Sequence, residues 1–445
     1  MENGDDKFTT TPDPTVYVDI TNLSVEVQNN YNIPVCCNNP GPFCSMVTFC
    51  CVFTVLIPVV LLSALPSDAL TANTVTTVAV MMAIIGTLYC CCLTSFPTLL
   101  KDGVCCVPKG PDRASSWKLP ETTADVDVPA RLVKKIKVIV NPNAGIKAGI
   151  SNLSICKNIW EEKGIEVQVL ETTHAGHCRK FALEEDLTGV DVLCAIGGDG
   201  TLHELVNGYL ARENASRVPL GFLPGGSGNS VMCDLGTWDM AEAARRIATG
   251  NVCMMDVTEV ISMGEKVASI NEICFGLVGN VGIVSEHFRW MGPGRYDAVA
   301  VGQIMLDYQE RVHVELEDSE GSVYKLEDNY LTCFLNQTQH FGKGLRAAPF
   351  AKLNDGLMEF YAIKAGVTTR GEALAILQQL PKGAHFEHPQ LFYKQCKKIK
   401  FTFPAGPGIF NVDGENLTHN GTISMLCHKQ VVPVIADPTS LAHQL

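Results

Sequence analysis

Asp199 is the single acid in the run Gly197-Gly198-Asp199-Gly200-Thr201. Glycines on both sides let backbone N–H groups come close to phosphate oxygens, and a helix starting there adds its positive end. A carboxylate beside a bound nucleotide has two uses, to take the proton of an acceptor hydroxyl or to help place a magnesium ion, and the residues alone leave both open. A plain tight turn capped by Asp199 is the bland alternative. A second loop, Pro224-Gly225-Gly226-Ser227-Gly228-Asn229, repeats the device some twenty-five residues on, and two such loops are harder to dismiss than one. Neither has the Gly-x-x-x-x-Gly-Lys-Ser/Thr pattern of a P-loop, and neither matches the dinucleotide fingerprint with its downstream acid.

The elements that must carry these loops are legible. Lys137 to Val140 predicts a buried strand, Ile150 to Lys163 an amphipathic helix, Ile165 to Glu171 a strand, His177 to Glu185 a helix and Val190 to Ala195 another buried strand, with a helical run from Leu202 to Leu210. Strand and helix in alternation predict a parallel sheet covered on its faces. Beyond Val257 the pattern changes. Val312 to Leu316, Tyr330 to Leu335 and Leu357 to Ile363 alternate with turns, as in an antiparallel sheet, and Leu374 to Leu380 is a short helical candidate.

The chain of 445 residues is 46% hydrophobic, enough for one large domain or two medium ones, and its formal charge of -13 argues against a nucleic-acid partner. Ten of its 19 cysteines precede residue 107, several as adjacent pairs, and none has zinc-finger spacing.

Residues 1–42 are polar and acidic and read as a disordered tail. In the segment 43–100, Val47 to Leu65 and Thr74 to Leu93 each run about twenty residues without a charge, the length of a membrane-spanning helix. A transmembrane helical hairpin is expected, the multi-pass membrane partner of the chain. Lys101, Lys109, Arg113 and Lys118 after the second span bias both ends of the hairpin, and with them the following half of the chain, toward the cytoplasm. The cysteine pairs at its borders are candidates for acylation or plain lipid-facing side chains. Residues 101–130 read as a linker, 131–255 as the α/β domain and 256–435 as the second domain.

Asn141-Pro-x-Ala-Gly, Gly197-Gly-Asp-Gly-Thr-x-x-Glu-x-x-Asn-Gly, Pro224-Gly-Gly-Ser-Gly-Asn and Asn411-Val-Asp-Gly-Glu occur in this order. In these motifs the sequence resembles the lipid kinase superfamily that contains the diacylglycerol, ceramide and sphingosine kinases, over roughly residues 133–424. The resemblance implies an α/β nucleotide-binding domain, a C-terminal antiparallel β-sandwich and an active site between them, with ATP and Mg2+ as cofactors. It implies that Asp199 is the general base. It assigns ATP binding to Asn141, Asn143, Gly197, Gly198, Gly200, Thr201, Gly225, Gly226, Ser227, Gly228 and Asn229. The stretch Ser285-Glu-x-x-Arg-x-x-Gly-x-x-Arg adds Glu286 at the adenine and Arg289 and Arg295 at the phosphates, and the late motif adds Asp413, Gly414 and Glu415, with Asp413 also at the metal.

Ala347-Ala-Pro-Phe-Ala, Lys364-Ala-Gly-Val and Gly383-x-His-x-x-His-Pro are most similar to sphingosine kinases, whereas Arg289-Trp-Met-Gly-Pro-Gly-Arg resembles ceramide kinase. Asn280 and Gly282 stand where sphingosine kinases carry acids toward the sphingoid amine, a departure that leaves neutral acceptors open. Asn280, Met305, Leu306, Leu374 and Leu377 are the candidates for lipid contact, since each methylene buried is worth about 0.8 kcal/mol. A sphingoid base is the expected acceptor, with ceramide or diacylglycerol as the alternative; a catalytically dead membrane-bound lipid sensor is the reading from another class.

Overall fold

The computed structural model describes residues 132–142, 149–212, 218–226, 228–285, 288, 294–305, 309–342 and 344–437. The tail, the hairpin and the linker lie outside the described residues, as do Asn143, Ser227, Glu286, Arg289 and Leu306. Among the described residues no helix is long and apolar enough to cross a membrane.

Four parallel strands form the first layer: β1 (Lys135–Val140), β2 (Glu166–Glu171), β3 (Val192–Gly197) and β4 (Leu220–Pro224), in the order β4-β3-β1-β2. Side chains alternate across a strand, so each strand feeds two cores. Ile136, Val138, Val140, Cys194 and Ile196 pack under α1 (Gly149–Glu162), while Ile139, Leu193 and Ala195 pack under α2 (His177–Glu184) and α3 (Asp199–Leu210). Trp160 of α1 is fully buried and its indole N–H donates to the Ala244 carbonyl at 2.8 Å. α4 (Ser230–Asp234) follows the second glycine loop, and α5 (Met240–Ile247), N-capped by Asp239, lies beside α1.

The second half is antiparallel. It comprises β5 (Val252–Ser262), β6 (Glu265–Ser269), β7 (Glu272–Gly276), β8 (Glu310–Glu317), β9 (Val323–Asn336), β10 (Met358–Lys364), β11 (Leu391–Cys396), β12 (Lys398–Thr402), β13 (Gly408–Val412), β14 (Glu415–His419) and β15 (Thr422–Ile435). Their inward residues, among them Phe275, Leu335, Phe360, Phe401, Phe410 and Met425, make one core. Three helices cover part of this sheet: α6 (Leu277–Ser285), α7 (Gly294–Met305) and α8 (Arg370–Gln379), the last opened by a reciprocal Thr369–Glu372 capping box.

The halves share a strand. The start of β15 pairs with β12 and its end pairs with β5 and, in parallel, with β4 at Val434↔Leu220. The register shifts between His428 and Val432, where Gln430 takes a left-handed φ of 55°. Buried Asp256 fixes this bend, accepting the Gln430 N–H at 2.7 Å and the Gly356 N–H at 2.6 Å.

Candidate active site

Both glycine loops leave the carboxyl ends of adjacent strands, β3 and β4, where ligands gather in parallel sheets. The loops touch. An ideal Cβ on Gly226 would stand 2.4 Å from the Gly198 Cα, and one on Gly225 2.9 Å from the Gly197 nitrogen. The second loop is closed by Asn229, whose side chain accepts from the Gly226 N–H and donates to the Gly226 carbonyl, both at 2.9 Å.

Asp199 is the first residue of α3. Its Oδ1 accepts the Ser230 N–H at 2.7 Å, and a Cβ at Gly228 would stand 2.8 Å from its Oδ2. Burial pushes its pKa up to about 6; the backbone N–H of Ser230 pulls the other way and the negative charge of Asp413 adds to the rise. A carboxylate with this proton affinity is ionised at neutral pH yet basic enough to accept a hydroxyl proton as it is released.

The β-sandwich half completes the surroundings. Ser230 Oγ accepts the Gly342 N–H at 2.7 Å, bringing the loop after β9 against the second glycine loop. From the other side comes the turn between β13 and β14, where Asp413 and Gly414 take left-handed φ of 52° and 88°, as an Asp-Gly hairpin turn requires. Glu415 on that turn directs Oε1 to within 3.7 Å of where a Gly200 Cβ would be.

Asp413 holds the β13–β14 turn against β6 and β7. It accepts five hydrogen bonds: Ser269 Oγ at 2.7 Å, the Ile270, Asn271 and Glu272 N–H groups at 3.0 Å each, and His203 Nδ1 at 3.0 Å. Its side chain is fully buried, and these protein donors engage its lone pairs. Among the described residues no group of three or more His, Cys, Asp or Glu could hold a metal ion.

Residues 135–260 match the family described as the diacylglycerol kinase catalytic domain, and residues 271–436 match the YegS C-terminal NAD kinase beta sandwich-like domain. The chain belongs to the lipid kinases. It is 27% identical to sphingosine kinase 2 of Arabidopsis thaliana over 334 residues, 64% of this chain and 69% of the relative. It is 26% identical to sphingosine kinase 1 of Homo sapiens over 330 residues, 63% of this chain and 85% of the relative. A diacylglycerol kinase-like crystal structure from Bacillus anthracis shares the fold, with a TM-score of 0.55, 22% identity and coverage of 69% of this chain and 98% of that one. Its kinase relatives imply that the kinase uses ATP.

The kinase brings Gly197, Gly198, Asp199, Gly200, Gly225, Gly226, Gly228, Asn229 and Glu415 to one place. Asn141 and Thr201 meet each other, the Asn141 Nδ2 donating to Thr201 Oγ1 at 3.3 Å, so both brace the base of the first loop. Asn229 likewise spends its side-chain amide on its own loop. Arg295 sits on the first turn of α7, its guanidinium 4.3 Å from the centre of the Tyr296 ring. Leu374 and Leu377 pack against the cluster formed by α6, α7 and α8, Asn280 is half-buried on α6, and Met305 is 56% exposed at the end of α7.

Other residues of the first motif escape a reading of loops alone. Glu204 accepts from the Gly176 and Cys178 N–H groups at 2.8 and 3.1 Å, capping the start of α2. Asn207 exchanges two 2.9 Å bonds with the Ala268 backbone, clamping α3 to β6 across the two halves. Gly208 allows contact with α2, since its Cβ would stand 2.2 Å from the Arg179 carbonyl oxygen. His203 steadies Asp413. The signal was present: polar residues interrupt the buried run from Leu202 to Leu210.

Proposed function

We propose that this kinase transfers the γ-phosphoryl group of ATP to the primary hydroxyl of a sphingoid base such as sphingosine, giving sphingosine 1-phosphate and ADP. The observation that carries the reading is Asp199, held by Ser230 between two apposed glycine loops with a proton affinity near neutrality. The hydroxyl oxygen forms a bond to the γ-phosphorus as the bond to the β-phosphate bridging oxygen breaks. The hydroxyl proton goes to Asp199, and the electron pair leaves with ADP. Backbone N–H groups of the loops and the positive end of α3 face the phosphates and offset their charge. Magnesium bound with the nucleotide would supply further neutralisation of the phosphate charge.

Similarity to proteins named sphingosine kinases supports the acceptor. The neutral Asn280 and Gly282 favour a second reading in which ceramide or diacylglycerol is the acceptor, because a cationic amine loses the counter-charge expected at those two positions. Full-length protein incubated with labelled ATP, magnesium and each lipid separately decides between them. Faster transfer to diacylglycerol or ceramide than to sphingosine overturns the first reading.

We also propose that residues 43–100 insert in a membrane as a two-helix hairpin with the kinase domain in the cytoplasm. The charge-free lengths and the basic residues that follow support it. Recovery of the full-length chain in the soluble fraction after carbonate extraction contradicts it.

A further inference from the structure

Asp199 is oriented by a backbone group, the Ser230 N–H, and that group belongs to a helix of five residues. Such a helix is about 7.5 Å long and has too few internal hydrogen bonds to hold its own orientation. Its two ends are tied to the same loop of the sandwich half. At the first end Ser230 Oγ accepts the Gly342 N–H at 2.7 Å. At the last end Asp234 accepts the Gln339 N–H on Oδ2 and His340 Nδ1 on Oδ1, each at 2.6 Å. The Asp234 side chain is fully buried and that of His340 is 23% exposed, with Trp238 edge-on to the imidazole at 5.9 Å. The loop itself is braced further on. Gln339 donates to the Ala351 carbonyl and accepts from Arg346, and the Arg346 N–H donates to Leu380, just past α8.

We propose that His340 is a positioning residue: through its bond to Asp234 it locks α4 against the sandwich half and so aims the Ser230 N–H at the Asp199 carboxylate. This rests on the reading of Asp199 as the general base. Burying the Asp234 carboxylate is tolerated only while donors surround it. Without the His340 imidazole the backbone N–H groups of residues 339 and 340 still reach Asp234, but the side-chain donor on Oδ1 is gone and the end of the short helix is held less tightly. Asp199 then loses a donor that favours its ionised form, so its proton affinity rises and its alignment with the acceptor hydroxyl is lost. Among the described residues, the other acids that act on or near Asp199 are Asp413 on the β13–β14 turn, Glu272 at the start of β7 and, across Gly200, Glu415. None lies on α4 or on the 337–346 loop, so a change at position 340 leaves them in place.

The test compares full-length His340→Ala, His340→Asn and Asp199→Asn with the parent, measuring kcat from pH 5 to 9 with saturating ATP and the preferred lipid. Asparagine carries an N–H near the place of Nδ1 but does not titrate, so a difference between the two His340 variants isolates the hydrogen bond from the imidazole charge. His340→Ala should lower kcat about tenfold at pH 7 and move the acidic limb up by about one pH unit, with the KM for ATP within about twofold of the parent. His340→Asn should restore most of both. Ser230→Ala, which frees the other end of α4, should move the limb in the same direction and stands in if His340→Ala does not fold. A limb unmoved in the alanine variants, or no rescue by asparagine, overturns the proposal. Undiminished turnover by Asp199→Asn sinks the underlying base assignment instead.

Discussion

Gly226 lies so close to Gly198 that no side chain fits between them: an ideal Cβ on Gly226 would stand 2.4 Å from the Gly198 Cα. The glycines therefore serve the contact between loops before they serve a ligand. At Gly200 the nearest atom to an added Cβ is Glu415 Oε1 at 3.7 Å, an ordinary contact. Gly226→Ala should destabilise the fold by about 1–3 kcal/mol and raise the KM for ATP, whereas Gly200→Ala should leave stability within about 0.5 kcal/mol. Urea unfolding and ATP titration check the pair; equal stability of the two variants would contradict the apposition.

Asp413 is buried beneath five donors, and its removal strands Ser269, His203 and three backbone N–H groups. Asp413→Ala should cost at least about 3 kcal/mol of unfolding free energy. The loss should be the same with and without magnesium. A loss that appears only when magnesium is present would restore this residue as a metal ligand.

The proton affinity of Asp199 sets the pH dependence of turnover. With a pKa pushed up to about 6, mainly by burial, the base is ionised above pH 7 and protonated below pH 5. kcat/KM should therefore fall about tenfold from pH 7 to pH 5 on a single-proton limb. A bound nucleotide adds negative charge, so the limb in kcat should lie at or above that in kcat/KM.

The same shift has a sign for stability. The folded state holds the Asp199 proton more tightly than the unfolded chain, so this group's contribution is fully present below about pH 4 and is lost as pH rises through 6. Asp199→Asn removes the cost of an ionised, enclosed carboxylate and should raise stability at pH 8 by about 1–3 kcal/mol. Melting the variant and the parent at pH 4 and pH 8 tests this; an equal difference at both values would contradict it.

Much of this was legible in the sequence because it is local. The apolar runs ending at Val140, Ala195 and Pro224 and the helices between them obey simple periods, and the parallel layer follows. The glycines around Asp199 and Gly226 likewise announce loops. What could not be read is contact across distance. The loop around His340 reaches α4 from 106 residues away and Asp413 reaches His203 from 210, and no period marks either pairing. The left-handed turn at Asp413 and Gly414, which buries the acid under five donors, is likewise not legible in the late Asp-Gly-Glu motif. Glu415, its neighbour, is the residue of that motif left facing α3.

The central claim is that one carboxylate takes the proton of the lipid hydroxyl. Turnover of full-length Asp199→Asn with ATP, magnesium and the preferred lipid measures it most directly, with circular dichroism to verify the fold. Asparagine keeps the shape and an acceptor for the Ser230 N–H but has no affinity for a proton, so kcat should fall by at least about two orders of magnitude. A folded variant that turns over within a few-fold of the parent would contradict the account.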